Sequence, residues 1–165
     1  MRADYFSADV QALVELLSRH RVRYLLVGGE AVIYHGYPRL TGDVDFWYEQ
    51  TAENASRLFD ALREFWGGLV PGVGAASELT EPMVVVQFGR PPHRIDLLST
   101  IDGVRFDEAW THRVEERLEL AGDRQVPLSV IGLPELLRNK RAAGRHKDLD
   151  DVEHLEPLLA RGPRG

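Results

Sequence analysis

Residues 24–49 read YLLVGGEAVIYHGYPRLTGDVDFWYE. The apolar run, which begins at Val22, predicts a short buried strand, and Gly28 and Gly29 stop it. "EAVIYHG" then predicts a short helix ended by Gly36 and Pro38. "DVDFWYE" alternates and is rich in aromatic and β-branched residues, so it predicts a second strand. Side chains repeat every two residues along a strand. Asp43 and Asp45 therefore share one face, while Val44 and Phe46 turn to the core. Two like charges so close are unfavourable unless something positive lies between them.

Outward from this stretch, residues 7–20 carry Val10, Leu13, Val14, Leu16 and Leu17 at helical spacing, with Ser7 or Asp9 as cap. Residues 51–66 form a further predicted helix with Thr51 as cap and Gly67-Gly68 as its end. "GLVPGVGAASELTEP" predicts a glycine-rich loop or weak hairpin. "MVVVQF" and "HRIDLLS" predict two strands joined by "GRPP", whose prolines do not fit inside a ladder. "VPLSVIGLPELLRNKRAAG" gives a short strand, then a helix with Pro134 near its start. After Gly144, "HKDLDDVEHLEPLL" completes the chain with an amphipathic helix. This order predicts an α/β (α+β) domain over residues 1–165, with a mixed sheet flanked by helices. Its core covers about residues 8–130, and a helical C-terminal extension covers about residues 131–160.

Composition bounds the function. The 165 residues are 44% apolar and 28% charged, as in a globular protein. A net charge of −6 argues against broad, nonspecific duplex binding. The sequence has no cysteine, hence no disulfide framework and no thiolate chemistry. The amphipathic, acidic opening does not read as a signal peptide, and no apolar run reaches membrane-spanning length. The expected setting is cytoplasmic, without membrane association.

The carboxylates carry the chemistry. Mg²⁺ is held through one or two carboxylates plus substrate phosphates, which suits Asp43 and Asp45. A third carboxylate, Asp96 in "RIDLL", lies on a predicted strand between Ile95 and Leu97. If that strand neighbours the first, three carboxylates converge on one or two metals, Mg²⁺ or Mn²⁺. Such a site fits in-line displacement at phosphorus, with Asp96 as candidate base. Gly28 and Gly29, between a strand and a helix, let backbone N–H groups approach a phosphate closely. The plainer alternatives are an exposed strand face and a tight turn. The two features in combination are far more specific than either alone.

The pattern "LLVGGEAVIYHGYPRLTGDVDFWYE" resembles the signature of the nucleotidyltransferase superfamily typified by DNA polymerase beta: strand, glycine pair, short helix, Asp-x-Asp. "RLTGDVD" with "KRAAGRHKDLDDVEHL" looks like its small bacterial members, related to abortive-infection and toxin–antitoxin nucleotidyltransferases. The resemblance covers residues 22–100 and, more loosely, 134–156. Gly29 stands where many members carry Ser. The resemblance implies a nucleotidyltransferase fold, Lys140 on nucleotide phosphates, and Asp148 orienting a cation or a basic side chain. Arg145 joins Lys140 as a candidate phosphate contact, and Arg39 and Thr41 are phosphate or loop contacts. The alternative for the basic run is a solvated helix junction. His35 reads as a packed or capping histidine, and Trp47, Trp66 and Trp110 as core or cleft wall.

The implied activity is transfer of a nucleoside monophosphate from an NTP such as ATP to a hydroxyl, releasing pyrophosphate. The acceptor is a protein side chain, a tRNA end or a small hydroxylated molecule. The rival expectation is an antitoxin-like binding module of the same fold, with a toxin or antitoxin partner protein and weak or no activity. A Rossmann-type dinucleotide site would need G-x-G-x-x-G after the strand, and "GGEAVIYHG" does not supply it.

Overall fold

A computed structural model describes residues 1–2, 4–122 and 124–159. The chain is a mixed α/β protein built on one six-stranded sheet. In chain order the elements are α1 (Ala8–Arg19), β1 (Tyr24–Val27), α2 (Gly28–Tyr34), β2 (Asp43–Tyr48) and α3 (Ala52–Phe65). They continue with β3 (Val85–Phe88), β4 (Arg94–Leu98), α4 (Phe106–Thr111), β5 (Val114–Leu120) and β6 (Arg124–Val130). Two helices, α5 (Leu133–Ala143) and α6 (His146–Leu159), follow. Across the sheet the order is β3-β4-β2-β1-β6-β5.

The expected caps are in place. Ser7 accepts from the Val10 N–H at the start of α1, and Thr51 accepts from the Asn54 N–H at the start of α3. A side-chain oxygen there satisfies one of the amides that the first helical turn leaves open. Pro134 sits in the first turn of α5, where a missing N–H costs nothing, and Gly144 ends that helix at φ +63°.

Three features narrow or extend the sequence expectation. The glycine-rich stretch takes the loop alternative and forms no hairpin. It is a loop with a single 3₁₀ turn at Ala76–Thr80, pinned where the buried Leu79 offers its carbonyl to the Tyr48 hydroxyl at 3.0 Å. Strand β5 was not expected, because "VEERLEL" is so charged. It is an edge strand in which only Leu118 and Leu120 are buried; Glu115, Arg117 and Glu119 face outward, while Glu116 is half-buried and accepts from the Tyr34 hydroxyl. Helix α4 is six residues long, too short for a helical period to register, and it packs Phe106 edge-on against Trp47.

Among the central strands β1 is apolar on both faces, as a covered strand must be, whereas β2 and β4 are apolar on one face and carry their charges on the other. β1 is buried at all four positions, and Val44, Phe46 and Tyr48 line one face of β2. Helices α5 and α6 pack on each other, and α5 also meets α2. Among the described residues no helix is long and apolar enough to cross a membrane.

Candidate functional site

Strand register assembles the carboxylates. β2 and β4 run parallel, with Asp45 opposite Asp96 and Asp43 opposite Arg94. β1 runs antiparallel on the other flank of β2, bringing Val27 opposite Asp45. The chain leaves β1 at Val27 and turns into α2 directly behind that carboxylate. Asp43, Asp45 and Asp96 thus stand on one face, with a ligand oxygen of each within 4.8 Å of the others. They line a cleft of about 580 Å³, whose other walls come from the β1–α2 turn, β3 and the α5–α6 junction. An all-oxygen set of this kind fits a hard divalent cation.

The cluster already holds one positive charge. The Arg94 Nε donates to Asp96 Oδ1 at 2.8 Å, and its Nη2 lies 2.9 Å from Asp96 Oδ2 and 2.7 Å from Asp43 Oδ2. Gln87 on β3 donates to Asp96 Oδ2 at 3.0 Å. The Thr41 hydroxyl lies 3.1 Å from the Asp43 carbonyl oxygen and 3.2 Å from its Oδ1, donating to one of them. Arg94 sits two residues before Asp96, so both point to the same side of β4, and this spacing was readable in "RIDLL".

Asp45 is different. Among the described residues none donates a hydrogen bond to its carboxylate. Burial, with Asp43 and then Asp96 beside it, pushes its pKa up to about 7, against the pull of Lys140 and Lys147. The glycine pair explains how such a group is accommodated. Gly28 has φ +64°, and a Cβ there would overlap Asp45 Oδ2. At Gly29 a Cβ would lie 2.5 Å from Thr41 Oγ1. Both glycines are therefore required by close approach of the chain to itself, whatever else their amides meet.

The basic residues divide into two groups. Lys140 is buried, its Nζ 3.1 Å from Asp148 Oδ1 and 2.9 Å from Asp151 Oδ2. Arg39 grips the same Asp151 with Nε at 2.7 Å and Nη2 at 3.1 Å. Arg145 donates from Nε to Asp148 Oδ2 at 2.6 Å. Burial works to raise the Asp148 pKa, but the bonds from Arg145 and Lys140 outweigh it and hold the group below the usual carboxylate range. Lys140 and Arg39 line the cleft yet are already committed to partners. Lys147 is exposed and, among the described residues, makes no hydrogen bond or ion pair. Its only sequence signal was its place in the basic run, and that run did not distinguish a free cation from a paired one.

The remaining residues fall as follows. His35 stacks edge-on against Tyr34 and its Nε2 lies 2.8 Å from the Ile131 carbonyl, a packed histidine whose pKa burial lowers. Trp47 is core, Trp66 covers Phe65 and Phe88 at the surface, and Trp110 stacks on Phe106 beneath Arg23 and Arg113. No protein-family model matches the chain, and no curated protein matches it in sequence.

Proposed function

We propose that the chain is a metal-dependent nucleotidyltransferase that binds an NTP with Mg²⁺ or Mn²⁺ and transfers its nucleoside monophosphate to a hydroxyl. The observation that carries this reading is the β2–β4 register, which sets Asp96 beside Asp45 and leaves all three carboxylates facing one cleft. Asp43, Asp45 and Asp96 would hold the cation. Bound there, it would supply charge neutralisation at the transferring phosphorus and a lowered pKa for the attacking hydroxyl.

The chain's own residues supply the rest. Gly28 and Gly29 bring the β1–α2 backbone to the floor of the cleft, where their N–H groups would meet phosphate oxygens. Lys147 and Arg145 stand at the opening, where positive charge would face the triphosphate. Lys140 and Arg39 fix that wall through Asp148 and Asp151. The acceptor oxygen attacks the α-phosphorus, the bond to the bridging oxygen breaks, and pyrophosphate departs with that electron pair. Asp96, oriented by Gln87, takes the hydroxyl proton.

One observation favours a second reading, an antitoxin-like binding module with weak or no activity. Arg94 satisfies Asp43 and Asp96 without any ion. The two readings part in a transfer assay with labelled NTPs, self-transfer included, on the parent and Asp96→Asn. The enzyme reading expects NTP binding in both and transfer only in the parent. Transfer unchanged in a folded Asp96→Asn protein would refute the three-carboxylate mechanism, and a parent that binds NTP but labels no acceptor would favour the binding module.

A further inference from the structure

The position of Arg94 has a consequence for how a cation would enter the cluster. Its guanidinium spans Asp96 and Asp43, so both Asp96 oxygens and one Asp43 oxygen already accept charge-assisted hydrogen bonds. The second Asp43 oxygen lies within reach of the Thr41 hydroxyl. Asp45 alone is left without a donor. One carboxylate is a poor site for a divalent ion, which draws its affinity from several oxygens at once. Arg94 and a cation compete for the same lone pairs.

The surroundings make the guanidinium the mobile partner. The Arg94 side chain is 32% exposed and lines the cleft, whereas that of Asp96 is 7% exposed. Arg94 can swing outward through solvent without disturbing the core. Asp96 keeps its bond from Gln87 when this happens, so it stays aimed into the cleft. Asp43 likewise keeps the Thr41 hydroxyl nearby. A planar fork that fits carboxylates also fits phosphate oxygens, so a donor entering the cleft offers the released guanidinium another partner.

We propose that Arg94 is an exchangeable internal cation: it occupies the carboxylate cluster in the free protein and sets the threshold for divalent-cation binding. This rests on the metal reading given above. Removing its charge while keeping its polar bulk frees the Asp43 and Asp96 oxygens, and cation affinity rises.

The experiment titrates nucleotide-free protein with Mn²⁺, following free ion by electron paramagnetic resonance, for the parent, Arg94→Gln and Arg94→Lys. Losing a full charge within hydrogen-bond distance of two carboxylates should tighten Mn²⁺ binding by about tenfold or more in Arg94→Gln. Arg94→Lys keeps the charge but loses the fork and should fall between. Circular dichroism checks the fold. If Arg94→Gln does not fold without metal, Arg94→Lys decides: tighter binding than the parent supports the exchange, and equal or weaker binding overturns it. Equal or weaker binding in a folded Arg94→Gln overturns the exchange while leaving the metal site standing. A parent and variants that all fail to bind Mn²⁺ overturn the metal reading, and the exchange with it.

Discussion

Replacing Asp45 with Asn tests the electrostatics of the cleft directly. Burial and the two neighbouring carboxylates raise the Asp45 pKa from 3.8 to about 7. The sign follows from proton linkage. Between those two values the folded protein holds a proton that the unfolded chain has lost, so stability falls as pH rises through this window. Each unit of pH there is worth about 1.4 kcal/mol, and the full shift amounts to roughly 4 kcal/mol. Asn carries no charge at any pH and escapes the penalty. From about pH 5 to about pH 8.5 the stability of Asp45→Asn should therefore gain on the parent by about 3 kcal/mol, because some two units of the window lie above pH 5. For a protein of this size that corresponds to roughly 6–12 °C in melting temperature. The assay is thermal and urea unfolding of both proteins with a chelator present, at several pH values. Taking the difference between the two cancels the histidines and every other group they share. A difference that stays flat across the window would refute the raised pKa and, with it, the crowding of three carboxylates on one face.

The basic wall gives two contrasting expectations. Lys140→Ala leaves Asp148 and Asp151 short of a buried partner and should cost about 3 kcal/mol in urea unfolding; unchanged stability would return Lys140 to the role of a free phosphate contact. Lys147→Ala should leave the melting temperature unchanged and weaken binding of a fluorescent NTP about fivefold, which an unaltered affinity would contradict. Gly28→Ala places a side chain at φ +64° and against Asp45, so it should destabilise by about 2 kcal/mol or more. A Gly28→Ala protein as stable as the parent would mean that the β1–α2 turn is not as tight as the geometry requires.

The parts of this fold that were legible from sequence were those where one residue type has one physical use. Gly28-Gly29 and Asp43-x-Asp45 announced a tight turn and a shared strand face, and the β1–β2 register brings the two together. Asp96 was readable as a buried acid between Ile95 and Leu97, but its pairing with Asp45 depends on a parallel neighbour that sequence does not display. Strand β5 was hidden by its own charges, since an edge strand buries little and so shows little alternation. The basic run was the hardest to read. Helical spacing brings Lys140, Asp148 and Asp151 together only after the α5–α6 turn closes, and charge order along the chain does not reveal which cation is left unpaired.

That closure ties α6 to Asp43 of the carboxylate cluster. Tyr37 donates to Asp150 at 2.7 Å and stacks on His154 at 4.0 Å, while Arg39 clasps Asp151. The α2–β2 loop is thus held against α6 at two points, and Thr41, two residues beyond Arg39, reaches Asp43. Asp151 serves as the shared anchor, accepting from Arg39 on one side and ion-paired with Lys140 on the other, so loop, α5 and α6 meet at one buried carboxylate. Around it three cations, Lys140, Arg39 and Arg145, face two acids, Asp148 and Asp151. Arg145 and Lys147, the exposed cations of this wall, look across the cleft at a cluster that is itself acidic even with Arg94 in place. Opposed walls of this kind suit a ligand that is negative along one side and carries a cation on the other, which is the charge pattern of a metal-bound polyphosphate.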